Sequence, residues 1–128
     1  MSLKEYFETT KGTGVLATSD KDGKVDAAIY ARPHVMEDGS LVFIMREKLT
    51  HNNLKSNPHA AYLFIESGVT GHKGKRFFLT KIKEEENYEL IQEIRRRTPN
   101  EKESKENELK FLVFFKIDKE LPLIGSGE

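Results

Sequence analysis

The sequence predicts a mainly β fold: a six-stranded antiparallel β-barrel with peripheral helices. Three observations predict it. Two Asp-Gly turns, in Asp20-Lys-Asp-Gly23 and Glu37-Asp-Gly39, lie between short apolar runs, the strongest local signal for a hairpin. Three later runs, HAAYLFIE (59–66), KRFFLTKIKEE (75–85) and LKFLVFFKIDKEL (109–121), are apolar and aromatic at strand length. The strand–helix–strand alternation that builds a parallel sheet is missing.

The elements follow in chain order. Residues 2–11 read as a short amphipathic helix, capped by Ser2, with Leu3, Tyr6 and Phe7 on one face. The two Asp-Gly turns then give three successive strands, read as a meander, with Arg32 on the second. Residues 50–57 form a helix that must end at Asn57, because the residue before Pro58 avoids helical geometry. Strand four (59–66) leads through the glycine-rich SGVTGHKG to strand five (75–85). Residues 84–97, EEENYELIQEIRRR, read as a helix with acids in its first turn and arginines in its last, and an apolar face of Tyr88, Leu90, Ile91 and Ile94. TPNEKESKENE (98–108) reads as a solvated loop before strand six.

At 128 residues the chain suits one domain, residues 1–128, with a core that needs no disulfide or metal. It has no cysteine, which removes thiolate nucleophiles and Cys-based zinc sites and fits a cytoplasmic location. Basic and acidic residues balance at 21 each, so the basic excess expected of a nucleic-acid binder is missing. No apolar run approaches membrane-spanning length and the first residues carry no signal-like apolar stretch, so neither a membrane nor export is expected.

The sharpest local signal is the helix start at Leu49-Thr50-His51-Asn52-Asn53. A helix N-terminus carries unpaired N–H groups and partial positive charge, yet no acid occurs between Thr50 and Pro58, while Arg46 and Lys48 precede it. Two readings stand side by side. Thr50 is a plain cap whose hydroxyl takes the N–H of Asn52 or Asn53; or a ligand phosphate satisfies the N–H groups and the cations together. Arg32 joins the second reading if strand two lies beside strand three, since a guanidinium matches phosphate oxygens in geometry.

Other motifs point to bland roles. His34, His51, His59 and His72 lack metal-ligand spacing and read as surface or turn residues. No GxSxG occurs, and the glycine loop at 67–76 lacks the GK[ST] of a P-loop, so it reads as a hairpin connection.

The succession IYARP, DGSLVFIMRE, LTHNNLKSNPHAAYLF resembles the pyridoxamine 5'-phosphate oxidase-like, FMN-binding split-barrel proteins. The most specific part is the helix ending in Asn57-Pro58 and running straight into an apolar strand. The resemblance implies a homodimer of split barrels with FMN at the subunit interface. It implies that the phosphate lies at Arg32, Thr50 and Asn53 beside Leu49, and the flavin ring along Tyr30, Ala31, Ile44, Met45 and Arg46. Catalytic residues are not implied. The chain lacks tryptophan and the basic C-terminal segment of the oxidases proper, so it resembles the small flavin-binding members and not the vitamin B6 oxidases. The expected function is a flavin-dependent oxidoreductase; the alternatives are a flavin electron carrier, a deazaflavin-dependent reductase and, as a different class, a small barrel binding oligonucleotides.

Overall fold

The computed structural model describes residues 1–97 and 110–125, without the side chains of 95–97. The loop expected at 98–108 lies outside the described residues. In order, the elements are α1 (Leu3–Thr9), β1 (Gly12–Ser19), β2 (Val25–Ile29), β3 (His34–Val35), β4 (Leu41–Arg46), α2 (Leu49–Ser56), β5 (His59–Glu66), β6 (Gly74–Glu85), α3 (Tyr88–Arg97) and β7 (Lys110–Pro122).

All seven strands belong to one antiparallel sheet in the order β2-β1-β5-β6-β7-β4-β3. The two predicted hairpins form, β1 with β2 and β3 with β4. In the first, Asp20 Oδ1 accepts the N–H groups of Asp22 and Lys24; in the second, Asp38 Oδ1 accepts the N–H of Ser40. Gly23 and Gly39 supply the positive φ (85° and 89°) that closes these turns.

The meander does not form. Residues 30–33 leave the sheet, so the expected second strand becomes two, β2 and the two-residue β3, at opposite edges. Pro33 explains the break: it has no N–H for a ladder and restricts Arg32 before it. Among the described residues the count is therefore seven strands, and no ladder joins the β2 and β3 edges. The barrel is split there.

Inside, the rings of Tyr62, Phe64, Phe77, Phe43 and Phe115 pack with Leu16, Leu41, Met45 and Leu79, and Phe7 of α1 packs against Tyr62, Phe64 and Phe77. A second, smaller cluster lies outside the sheet, where Ile91 and Ile94 of α3 cover Val42, Leu112 and Phe114. This is why β4 and β7 read as near-continuous apolar runs: both of their faces are buried.

α3 starts later than the acids suggested. Glu84 and Glu85 end β6, paired in register with Val113 and Leu112. Asn87 opens the helix, its Oδ1 accepting the N–H of Leu90 and its carbonyl that of Ile91. Tyr88, expected on the apolar face, is 73% exposed.

Candidate functional site

α2 bridges the split, packing on β1, β2 and β4. Its inner face is mostly polar, since Thr50, His51 and Asn53 are buried beside Leu54. Buried polar groups need partners, and here they come from distant strands. Asn53 Nδ2 donates to Thr18 Oγ1 on β1 at 3.1 Å. His51 stacks on Phe111 of β7 (centroids 4.1 Å apart, planes 11° apart), and its Nε2 lies 3.1 Å from Glu84 Oε2. Glu84 Oε1 in turn accepts from Lys81 Nζ at 2.6 Å. Among the described residues His51 Nδ1 is buried without a hydrogen-bond partner. The expectation of a surface histidine fails at His51 because the helix turns that side inward.

The N-terminus of α2 differs from the reading of Thr50 as a plain cap. Lys48 is the N-cap, among the described residues no side chain caps the helix, and no acid lies in its first turn. Thr50 sits one position inside the helix, and its hydroxyl donates to Asp26 Oδ2 at 3.4 Å. A carboxylate does reach this helix start, brought by β2 and not by the local sequence. The Tyr30 phenol lies beside it. Burial pushes its pKa up, a hydrogen bond with Thr50 pulls it down, and Asp26 and Arg46 act in opposite directions. Asp26, Tyr30, Arg46 and Thr50 therefore meet at one end of the split. Period-2 alternation along 26, 28 and 30 carried that signal, because it puts Asp26 on the face of Tyr30.

The remaining candidates separate. Met45 is fully buried in the core, so it offers a ligand its backbone alone, whereas Ile44 and Arg46 are half-buried on the opposite side of β4. Leu49 is 56% exposed and Ala31 is exposed. Arg32, off any strand, donates from Nη1 to the carbonyls of Phe7 (2.9 Å) and Thr10 (2.8 Å) at the end of α1. The expectation of Arg32 beside Thr50 required β2 paired with β4, and the Pro33 break removes that pairing.

The Glu84 cluster yields a pH prediction. Burial alone raises the Glu84 pKa, but hydrogen bonds from Lys81 and His51 outweigh it, and the carboxyl sits below its ordinary value. A lowered carboxyl pKa stabilises the fold above the ordinary glutamate range, and that contribution is lost as pH falls through the folded value. Stability measured by urea unfolding is expected to drop across this acid window, and Glu84→Gln is expected to flatten the drop. An unchanged slope in Glu84→Gln would assign the drop to other groups.

No protein-family model matches the chain, and no curated protein matches it in sequence. Solved structures do match in shape. An FMN-binding protein from Syntrophomonas wolfei subsp. wolfei superposes with a TM-score of 0.76 at 20% identity, over 95% of this chain and 84% of that one. An F420 reductase matches with a TM-score of 0.69 at 16% identity, over 94% and 97%. A Lactobacillus delbrueckii protein named provisionally as a pyridoxamine 5'-phosphate oxidase matches with a TM-score of 0.65 at 16% identity, over 94% and 93%. The chain has the split-barrel fold of these proteins. At these identities what the split barrel shares with its neighbours is architecture, and its chemistry has to be argued from its own residues. Among the described residues no group of three or more His, Asp or Glu is placed to hold a metal, and no helix is long and apolar enough to cross a membrane.

Proposed function

We propose that this split barrel binds a flavin-type cofactor, FMN, and serves as a flavin-dependent oxidoreductase. The observation that carries the reading is the α2 start, which among the described residues has no side-chain cap and no acid in its first turn, with the Tyr30 phenol hydrogen-bonded to Thr50 and within the electrostatic reach of Arg46. Free N–H groups at a helix start suit a phosphate. In this reading Thr50 and the first-turn amides hold the phosphate, with Leu49 beside it and Asn53 fixing the helix through Thr18. Tyr30, Ala31, Ile44, the Met45 backbone and Arg46 border the ring. The flavin, when bound, supplies the electron transfer; the protein binds it, orients it and keeps water from one face.

The fit has one opposing feature. Asp26 sits where a phosphate would come, and like charges at short range repel. This makes the site testable by flavin fluorescence titration with FMN and with riboflavin, which lacks the phosphate. FMN is expected to bind about tenfold tighter than riboflavin, and Asp26→Asn to strengthen FMN by severalfold while leaving riboflavin unchanged. Thr50→Ala is expected to weaken FMN alone. Equal affinity for the two flavins would put the phosphate elsewhere, and no binding of either would remove the cofactor proposal. The likeness to an F420 reductase favours a deazaflavin as the second ligand to titrate.

The site is read as shared by two copies. The outer face of β2 presents Val25, Ala27 and Ile29, exposed. By register they continue through Val15 and Ala17 of β1 and Leu63 and Ala61 of β5 to the 45%-exposed Phe78 of β6. A contiguous apolar face of this kind is a feature of interaction surfaces, and a second copy is the proposed cover.

A further inference from the structure

A cleft of about 1190 Å³ opens between α1, the 30–33 link, the β3–β4 hairpin and α3. It is at least as large as the ~300–1,000 Å³ of ordinary ligand sites. Phe7, Leu90 and Phe114 give it apolar walls, and Arg32, Lys4 and Lys11 line it with positive charge. Thr50, Asn53, Arg46 and Tyr30 do not line it.

Arg32 is the group that asks for a ligand. Its Nη1 is held by the two carbonyls that end α1, which fixes the guanidinium plane. It is half-buried, and among the described residues no carboxylate pairs with it and no acceptor meets its Nε or Nη2. Lys4 and Lys11 also lack a carboxylate partner there. The acids of the cleft are Glu8, Glu37, Asp38 and Glu93, and none pairs with Arg32. Asp38 is engaged by the N–H and hydroxyl of Ser40, which hold its carboxyl below the usual range. A half-buried cation with a fixed orientation and two unused donors matches the oxygens of a carboxylate or phosphate.

We propose that this cleft binds an amphipathic organic anion. The carboxylate or phosphate end lies on the open edge of Arg32, with Lys4 and Lys11 adding charge, and the aromatic or aliphatic body lies along Phe7, Leu90 and Phe114. The site does not depend on the flavin reading, since Arg32, Lys4, Lys11, Phe7, Leu90 and Phe114 are not among the residues proposed to hold the flavin.

The test is a two-dimensional amide NMR titration of the full chain with phenyl phosphate, repeated with phenol as the uncharged counterpart. Saturable shifts are expected at Phe7, Arg32 and Leu90, with phenyl phosphate at least about fivefold tighter than phenol. Leu90→Glu, which puts a like charge on the apolar wall without touching Arg32, is expected to abolish saturation while the melting temperature stays near that of the parent. Lys4→Glu with Lys11→Glu is expected to weaken binding severalfold. Absence of saturation up to about 10 mM, equal affinity for phenol, shifts confined to 49–51, or full binding in a folded Leu90→Glu would each overturn the proposal. Binding of FMN at the α2 start is read separately by flavin fluorescence, so the two proposals fail independently.

Discussion

Val25→Asp combined with Ile29→Asp is expected to leave a folded monomer where the parent chain is expected to dimerise. These side chains are 83% and 77% exposed on an edge strand, so in the isolated chain they bury little, and surface substitutions of this sort change stability by about 0.5 kcal/mol or less. In a dimer covering that face the same positions lie under the partner. A two-fold interface repeats each substitution, so two changes bring four carboxylates together without counter-charges. The dimer dissociation constant is expected to rise at least about 100-fold, equivalent to about 2.7 kcal/mol. Sedimentation velocity reads the association state, and far-ultraviolet dichroism with thermal melting checks the fold. If the variant sediments as a dimer, or the parent as a monomer, the β2–β1–β5–β6 face is not the interface. Because Tyr30 follows β2 directly, loss of the dimer is also expected to lower flavin affinity, which ties the surface to the proposed site.

The same strand shows what was legible in the sequence and what was not. The hairpins were legible because Asp-Gly turns act over four residues, and the two turns use their aspartates as the turn chemistry requires. Strands 59–66 and 75–85 were legible to within a residue because their composition suits nothing else. What failed was non-local. Pro33 ends one strand and frees the next to cross the sheet, and pairing across a sheet is not encoded by neighbours in sequence. The Glu84-Glu85-Glu86 run looked like a helix start because acids favour helix N-termini, but pairing with β7, together with Lys81 and His51, claims Glu84 for a strand end. At the site, the lack of an acid in the first turn of α2 was correctly read, yet the carboxylate beside Thr50 comes from Asp26, 24 residues earlier in the chain. Arg32 was singled out for its anion-binding chemistry. Its position at α1 instead of α2 moves that chemistry to a different cleft.

Gly14→Ala is expected to cost about 3 kcal/mol, although the change adds one methyl group. A Cβ at Gly14 would lie 1.9 Å from the Tyr62 hydroxyl oxygen and 2.6 Å from the Tyr30 carbonyl oxygen, closer than non-bonded atoms can approach. Neither neighbour can yield. Tyr62 is fully buried among Phe7, Phe43 and Phe64. Its hydroxyl donates toward the carbonyls of Tyr30 (3.2 Å) and Ala31 (3.3 Å), on the link that leaves the sheet and has no ladder of its own. Burial pushes the Tyr62 phenol well above its ordinary pKa, so it remains a neutral donor. The Tyr30 N–H, in turn, donates to the Gly14 carbonyl at 3.0 Å, so the backbone cannot swing away without losing that bond. The methyl therefore either displaces the ring, leaving two carbonyls short of a donor, or strains β1 against its neighbours. For a domain of this size the cost corresponds to a fall in melting temperature of about 10 °C. Tyr62→Phe removes the hydroxyl alone and is expected to cost about 1 kcal/mol. In the double variant the clash has lost one of its atoms, so the combined cost is expected to be smaller than the sum, a coupling the cycle measures directly. Additive costs would mean that Gly14 and Tyr62 do not act through one contact. Because Tyr30 borders the proposed flavin ring, Gly14→Ala is also expected to weaken FMN from a position that touches no ligand, whereas Tyr62→Phe, which leaves the link in place, weakens it less.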